Sequence, residues 1–385
     1  MAHSLNRRNW LKNTALMAAG AAFTPWSSLS AYPADITRLS PQGHWLPDAL
    51  LDNAQIRLLA NENPYGPSAK ARKALADAAH LGNRYGWQHN DELKQLIAAY
   101  EGVKTENILV GPGSSDLLCK AGMAYGIEHR ARVISANPTY MSLLLRTQVA
   151  GAEWVPVPLA PNYAHDLDAM EAAIDARTRL VYLCNPNNPT GTLTPHEDLR
   201  AFCRRVAPRV PVFVDEAYNE FLPDPKAASV VGLIAEGQRV LVAKTFSKVH
   251  GMAGLRIGYL MGPADMLERV RDFGDGEMGL SIVSLKAAIA SYQDLDFVRD
   301  CLEKNAAVRS YTEKALQQLD YAYIPSHTNF MMFPIRMETE VFRKQMAERG
   351  VGIRVWIMDH KPWCRVSIGT REEMETFIET LTALG

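Results

Sequence analysis

The stretch Val240-Leu241-Val242-Ala243-Lys244-Thr245-Phe246-Ser247-Lys248 decides how this chain folds. Four apolar residues, two of them β-branched, are too few for a helix and stop abruptly in hydroxyl and lysine side chains. A short run of this kind reads as an inner strand of a parallel sheet, buried on both faces. Four more runs lie upstream: Ile108-Leu109-Val110, Arg132-Val133-Ile134, Leu180-Val181-Tyr182-Leu183 and Val212-Phe213-Val214. Helix-length sequence separates them, and residues 68–79 (SAKARKALADAA) and 91–100 (DELKQLIAAY) carry helical periodicity. Strands joined by helical crossovers predict an α/β fold with a mostly parallel central sheet flanked by helices. Ligands of such sheets bind at the carboxyl ends of the strands, so the polar residues there are the ones to inspect.

Beyond about residue 280 the pattern changes. A helical stretch at 284–319 leads to a strand near Phe330–Phe333, a helix near 338–349, strands at 351–355 and 364–368, and a helix at 371–383. The expected division is a large domain over 61–280 and a smaller α+β domain over 281–385. Residues 31–60 are expected to pack with the small domain.

The chain of 385 residues is 47% hydrophobic and 22% charged, with a formal net charge of -1, so a polyanionic partner such as nucleic acid is not expected. Five scattered cysteines without a CxxC pair or a Cys/His cluster give no metal site. The first thirty residues read differently from the rest. Arg7-Arg8-Asn9-Trp10-Leu11-Lys12 is followed by a weakly apolar run, Thr14 to Phe23, and then by small residues ending near Ser30. This order is that of an export signal, and the paired arginines resemble the bacterial twin-arginine type. The apolar run is too short to span a bilayer, so no stable membrane insertion is expected. The expectation is recognition by twin-arginine export machinery and a periplasmic location.

The strand ends fall into an ordered series. Leu183-Cys184 runs into Asn185-Pro186-Asn187-Asn188-Pro189-Thr190-Gly191; Val214 runs into Asp215-Glu216-Ala217-Tyr218; Ala243 leads to Lys244–Lys248 and then to Gly254-Leu255-Arg256-Ile257-Gly258. A small-residue turn, Gly111-Pro112-Gly113-Ser114-Ser115, follows the first strand and opens a helical stretch, as a phosphate-binding turn does. Taken with Ala60–Ser68 (ANENPYGPS) and Trp363–Glu373 (WCRVSIGTREE), these motifs resemble the class I/II aminotransferases of fold type I, and within them the histidinol-phosphate aminotransferase branch. The resemblance covers residues of about 55 to 385.

That resemblance implies a pyridoxal 5'-phosphate (PLP) enzyme that moves an amino group between an amino donor and a 2-oxo acid. Lys248 is implied to hold the cofactor as a Schiff base and to carry the proton, which requires burial or nearby positive charge to lower its pKa. Lys244 is the one competing lysine nearby, inside the strand run. Asp215 is implied to face the pyridine nitrogen, Tyr218 and Asn188 the phenolic oxygen, and Tyr140 the ring face. Gly113, Ser114, Ser115, Thr245, Ser247 and Arg256 form the implied phosphate cup. Tyr85 matches the tyrosine that reaches the phosphate of a neighbouring subunit, which implies a homodimer with shared active sites. Arg365 matches the arginine that fixes the substrate carboxylate, Arg354 a second substrate arginine, and Asn61 a further substrate contact.

Three features bear on the substrate. The N-terminal region lacks a match for the tyrosine that some members place over the substrate, Trp356 and Trp363 flank the Arg354 region, and acids occupy residues 272–277. Separately, Gly86-Trp87 stands where the family usually has a proline after Tyr85, which bears on the path of that loop. Acids at the mouth of the site are expected to repel a phosphate ester and to welcome an amine. Export also separates an enzyme from cytosolic histidine synthesis. The expected donor is therefore an amino acid, free or carried on a secreted small molecule such as a siderophore peptide. Histidinol phosphate is the alternative donor, and decarboxylation or elimination the alternative chemistry. A non-enzymatic sensor on the same fold is disfavoured, because no helix-turn-helix precedes the fold.

Overall fold

The computed structural model describes residues 55–274 and 276–385. The proposed export segment, residues 1–30, and most of 31–60 lie outside the described residues. A seven-stranded sheet forms from β2 (Ile108–Gly111), β3 (Arg132–Asn137), β4 (Glu153–Pro158), β5 (Thr178–Cys184), β6 (Val212–Asp215), β7 (Val240–Thr245) and β8 (Gly258–Met261), preceded in the chain by β1 (Ile56–Arg57). Its strand order is β2-β8-β7-β6-β5-β3-β4, and β8 alone runs against its neighbours. The five apolar runs are all strands of this sheet. Glu153–Pro158 and Gly258–Met261 are strands that apolar runs did not mark; β4 carries two prolines and lies at the sheet edge, where a missing N–H costs no ladder bond.

β6 and β7 are buried along their whole length, and β5 everywhere except at Arg179 near its start, as inner parallel strands are. One face packs a core that includes Val181, Val214, Val242 and Phe202, and the other a core that includes Tyr182, Phe213, Leu241 and Leu118. Helices cover both faces, among them Trp87–Glu101, Ser114–Gly126 and Ile282–Tyr292.

A second, three-stranded antiparallel sheet follows, ordered β11-β12-β9 from β9 (Phe330–Pro334), β11 (Arg354–Met358) and β12 (Lys361–Ser367). β10 (Val351–Gly352) instead pairs in parallel with β1, which ties the start of the described chain to its last third. The expected helical stretch at 284–319 is two helices, Ile282–Tyr292 and Leu295–Gln318, interrupted at Gln293-Asp294. The helix Arg371–Leu384 begins on a capping box of Thr370 and Glu373, a pairing that satisfies two exposed donors at a helix start.

Candidate active site

β5, β6 and β7 end side by side, so their polar successors converge at one edge of the sheet. Asp215 closes β6 and is 2% exposed. Its carboxylate accepts from the Ala217 backbone N–H at 3.2 Å and from the Tyr182 hydroxyl at 3.4 Å. Burial pushes its pKa up to about 7, against the pull of those hydrogen bonds and of the nearby Lys248. Lys248 follows β7, and its Nζ donates to the carbonyl oxygens of Ala60 (3.2 Å) and Asn61 (3.0 Å). Burial, reinforced by the positive charge of Arg365, brings its pKa down to about 8. The two charges act on each other, and Lys248 Nζ lies 5.6 Å from the centre of the Tyr218 ring, three residues past Asp215.

The Tyr218 hydroxyl accepts from Asn61 Nδ2 at 2.9 Å and from Asn188 Nδ2 at 3.4 Å. Asn188 Oδ1 in turn accepts from Arg365 Nη1 at 2.7 Å. Arg365 is 3% exposed, its Nη2 donates to the Leu59 carbonyl at 2.8 Å, and burial lowers its pKa to about 10. Its neighbour across the strands is Arg354, and the two charges act on each other and on Tyr140. Asn61 stands in the left-handed region at φ 54°, a conformation that asparagine tolerates better than most side chains. Its backbone is fixed by Asn329, whose Nδ2 donates to the Asn61 carbonyl at 3.0 Å, and by Ser367, whose Oγ accepts from the Asn61 N–H at 2.8 Å.

A second rim forms where the helix Ser114–Gly126 starts. The register aligns Gly111, Gly258 and Thr245 across three strands, and Gly113 precedes the helix at φ 89°. A Cβ on Gly113 would lie 2.3 Å from Arg256 Nη2, and one on Gly258 would lie 2.5 Å from the Ser114 nitrogen. The two glycines therefore leave a cradle of backbone N–H groups beside an exposed guanidinium, which is what a phosphate needs. Arg256, itself at φ 50°, donates to the Ala253 carbonyl at 2.8 Å. Thr245 Oγ1 and Ser247 Oγ are 3.0 Å apart at this rim, and Ser115 Oγ lies 3.0 Å from the Tyr140 hydroxyl.

The structure thus brings together Lys248, Asp215, Tyr218, Asn188, Asn61, Arg365 and Arg354, and beside them Gly113, Ser114, Ser115, Tyr140, Thr245, Ser247 and Arg256. Tyr85 is not among them within one chain; it is 67% exposed and stacks on Trp87 with ring centroids 5.4 Å apart. Lys244 is excluded as the nucleophile by its surroundings. Its Nζ donates to both oxygens of Glu101, at 2.9 and 3.1 Å, and lies 3.7 Å from Glu216. Those carboxylates, with Glu220, outweigh burial and hold its pKa above the ordinary lysine value. Of the acids at 272–277, Glu277 is paired with Lys94, so its charge is compensated, Asp272 is exposed, and Asp275 lies outside the described residues.

Asn329 and Ser367 escaped the sequence reading, although each carried a signal. Asn329 stands at the polar end of the run Phe330–Phe333, and Ser367 lies two residues from Arg365, hence on the same sheet face.

A buried carboxyl at one end, a deprotonable lysine beside it, hydroxyl and amide donors at the middle and a phosphate cradle at the far rim match the polar groups of PLP in kind and order. The comparisons agree. The family model for aminotransferase class I and II matches residues 53–381. The chain belongs to that family and is a PLP-dependent aminotransferase. Among curated relatives, the histidinol-phosphate aminotransferase of Moorella thermoacetica is 36% identical over 332 residues, covering 85% of this chain and 84% of the relative. Histidinol-phosphate aminotransferase 2 of Nitrosospira multiformis is 34% identical over 330 residues, covering 85% and 83%. The solved structure of histidinol-phosphate aminotransferase from Sinorhizobium meliloti in complex with pyridoxal-5'-phosphate superposes with a TM-score of 0.81 at 27% identity, covering 92% of this chain and 99% of that one.

Proposed function

We propose that Lys248 is the residue to which the cofactor is attached and the one that carries the substrate proton. Asp215 faces the ring nitrogen, Tyr218 and Asn188 the phenolic oxygen, Tyr140 the ring, and the Gly113–Ser115, Thr245, Ser247 and Arg256 rim the phosphate. PLP supplies the electron sink that eases loss of the α-proton of an amino acid. Lys248 acts as the base because a pKa near 8 leaves an appreciable neutral fraction at neutral pH. Arg365 takes the substrate carboxylate as a planar fork and so fixes the α-carbon above Lys248, which is orientation as much as affinity. The carrying observation is that the Lys248 amine sits on the Ala60 and Asn61 carbonyls, one residue from the Leu59 carbonyl that anchors Arg365. Lys248→Ala is expected to abolish turnover and the visible absorbance of the attached cofactor; turnover that survives points to another lysine.

The amino donor we propose is an amino acid, free or carried on a secreted small molecule such as a siderophore peptide, and the acceptor a 2-oxo acid. The support is the export-type order of residues 1–30, with Arg7-Arg8, ahead of the family match. Twin-arginine export to the periplasm is part of the same proposal, tested by fractionating cells that carry the wild-type chain or Arg7,Arg8→Lys. A second reading, histidinol phosphate as donor, is favoured by the names of the curated relatives and by the compensated Glu277. A donor panel read by the cofactor spectrum separates the two. A keto product with aminated cofactor, rather than carbon dioxide and an amine, separates transamination from decarboxylation.

The proposal extends to assembly and domain layout. The exposed Tyr85, on an exposed aromatic stack, completes the phosphate site of a second copy, so the active form is a homodimer. Sedimentation of the loaded enzyme tests this, with a monomer at full activity as the contrary result. The cofactor domain expected over 61–280 extends through the helix Ile282–Tyr292, whose Leu285, Ala287, Ala288 and Ile289 belong to the large sheet's core, and the small domain expected over 281–385 starts after it; the separate cores of the two sheets support this division.

A further inference from the structure

The three-stranded sheet has a packed face and a second face that turns toward the site. Register sets Arg354 opposite Arg365 and Trp356 opposite Trp363. Alternation along the strands sends these four side chains away from the core that holds Phe333, Cys364 and Val366. Trp363 is fully used there: it is 6% exposed, its Nε1 donates to the Met358 carbonyl at 3.2 Å, and Tyr163 meets its ring edge-on at 6.0 Å.

Trp356 is not. Its ring lies beside the Arg365 guanidinium, with Cζ 5.9 Å from the ring, and its Nε1–H is shut off from solvent without an acceptor. Arg365 uses one N–H of Nη1 on Asn188 and one of Nη2 on Leu59, and its Nε–H is likewise buried without an acceptor. Indole and guanidinium N–H groups can only donate. A buried donor left unpaired is costly, and native proteins leave few of them. Two such donors on neighbouring side chains, one of them cationic, call for one anionic group rich in acceptors.

We propose that Trp356 is a substrate-binding residue whose Nε1–H donates to the carboxylate of the amino substrate, alongside Arg365. This rests on the reading of Arg365 as the carboxylate anchor. The indole also screens the guanidinium from water, which strengthens each bond to the anion.

The test uses the PLP-loaded enzyme with succinate, a carboxylate without an amine, titrated through the change in cofactor absorbance, together with KM and kcat for the best donor found. Trp356→Phe keeps a ring and removes the N–H. The Kd for succinate and the KM for the donor are expected to rise at least about tenfold, the loss of one hydrogen bond to a charged acceptor, with kcat changing far less. Trp356→Gln, which restores an amide N–H, is expected to recover part of the loss. Binding of the neutral analogue succinamide should not respond. An unchanged succinate Kd in both variants overturns the proposal, as does an equal loss for succinate and succinamide. A change in preference among donors with succinate binding intact also overturns it, since Trp356 would then read the side chain. Arg365→Gln separates the two levels: if it leaves succinate binding intact, the Arg365 reading fails whatever Trp356 does.

Discussion

Asp215→Asn should reverse its effect on stability between the empty and the loaded protein, and the empty case can be worked out. The Asp215 carboxyl is 2% exposed, and burial raises its pKa from an ordinary 3.8 to about 7. A folded pKa above the unfolded one means that the folded chain binds the proton more tightly, so stability falls as pH rises from 3.8 to about 7 and levels off above. Integrating the two titrations gives a penalty of about 2 kcal/mol at pH 5 and about 4 kcal/mol at pH 8. Asparagine has the same size and cannot ionise. The stability of the variant minus that of the wild type should therefore rise by about 2–3 kcal/mol from pH 5 to pH 8. Urea unfolding of both cofactor-free proteins at the two pH values measures it, and other titrating groups cancel in the difference. With PLP bound the carboxylate gains a cationic partner, so the variant should bind PLP more weakly than the wild type. A stability difference independent of pH would refute the reasoning, because Asp215 would then not be a desolvated carboxyl.

Gly113→Ala places a Cβ 2.3 Å from Arg256 Nη2 at φ 89°, so PLP affinity should fall at least about tenfold in a cofactor titration while secondary structure persists. Lys244→Met leaves the buried Glu101 and Glu216 carboxylates without their cation and should cost about 3–5 kcal/mol in urea unfolding. Adding Glu101→Gln should restore part of that loss. The rate at which the empty enzyme takes up PLP should rise with pH and reach half its maximum near pH 8, since only the neutral amine of Lys248 attacks an aldehyde and its pKa is lowered by burial and by Arg365. A midpoint near the ordinary lysine value would show that Lys248 is solvated.

The parallel core was legible because inner strands cannot mix polarity: β5, β6 and β7 bury both faces, so apolar runs announce them. β4 was not, because an edge strand with two prolines and exposed positions carries little periodicity. Residues at strand ends were legible for a related reason, since a buried Asp215 or a Lys248 after an apolar run has few structural uses. What the sequence hid was the support. Asn61 depends on Asn329 and Ser367, which lie 268 and 306 residues away in the chain. No local pattern encodes contacts of that range. The same holds for Lys244 and Glu101, 143 residues apart, and for the compensation of Glu277 by Lys94. Glu277 therefore read as open charge until its partner was seen.

Borohydride reduction of the PLP-loaded protein, followed by peptide mass mapping, reaches the central claim without relying on turnover. The mass of the reduced cofactor is expected on the peptide that contains Lys248 and on no other. Finding it on Lys244 or elsewhere, or finding full labelling in Lys248→Ala, would contradict the account.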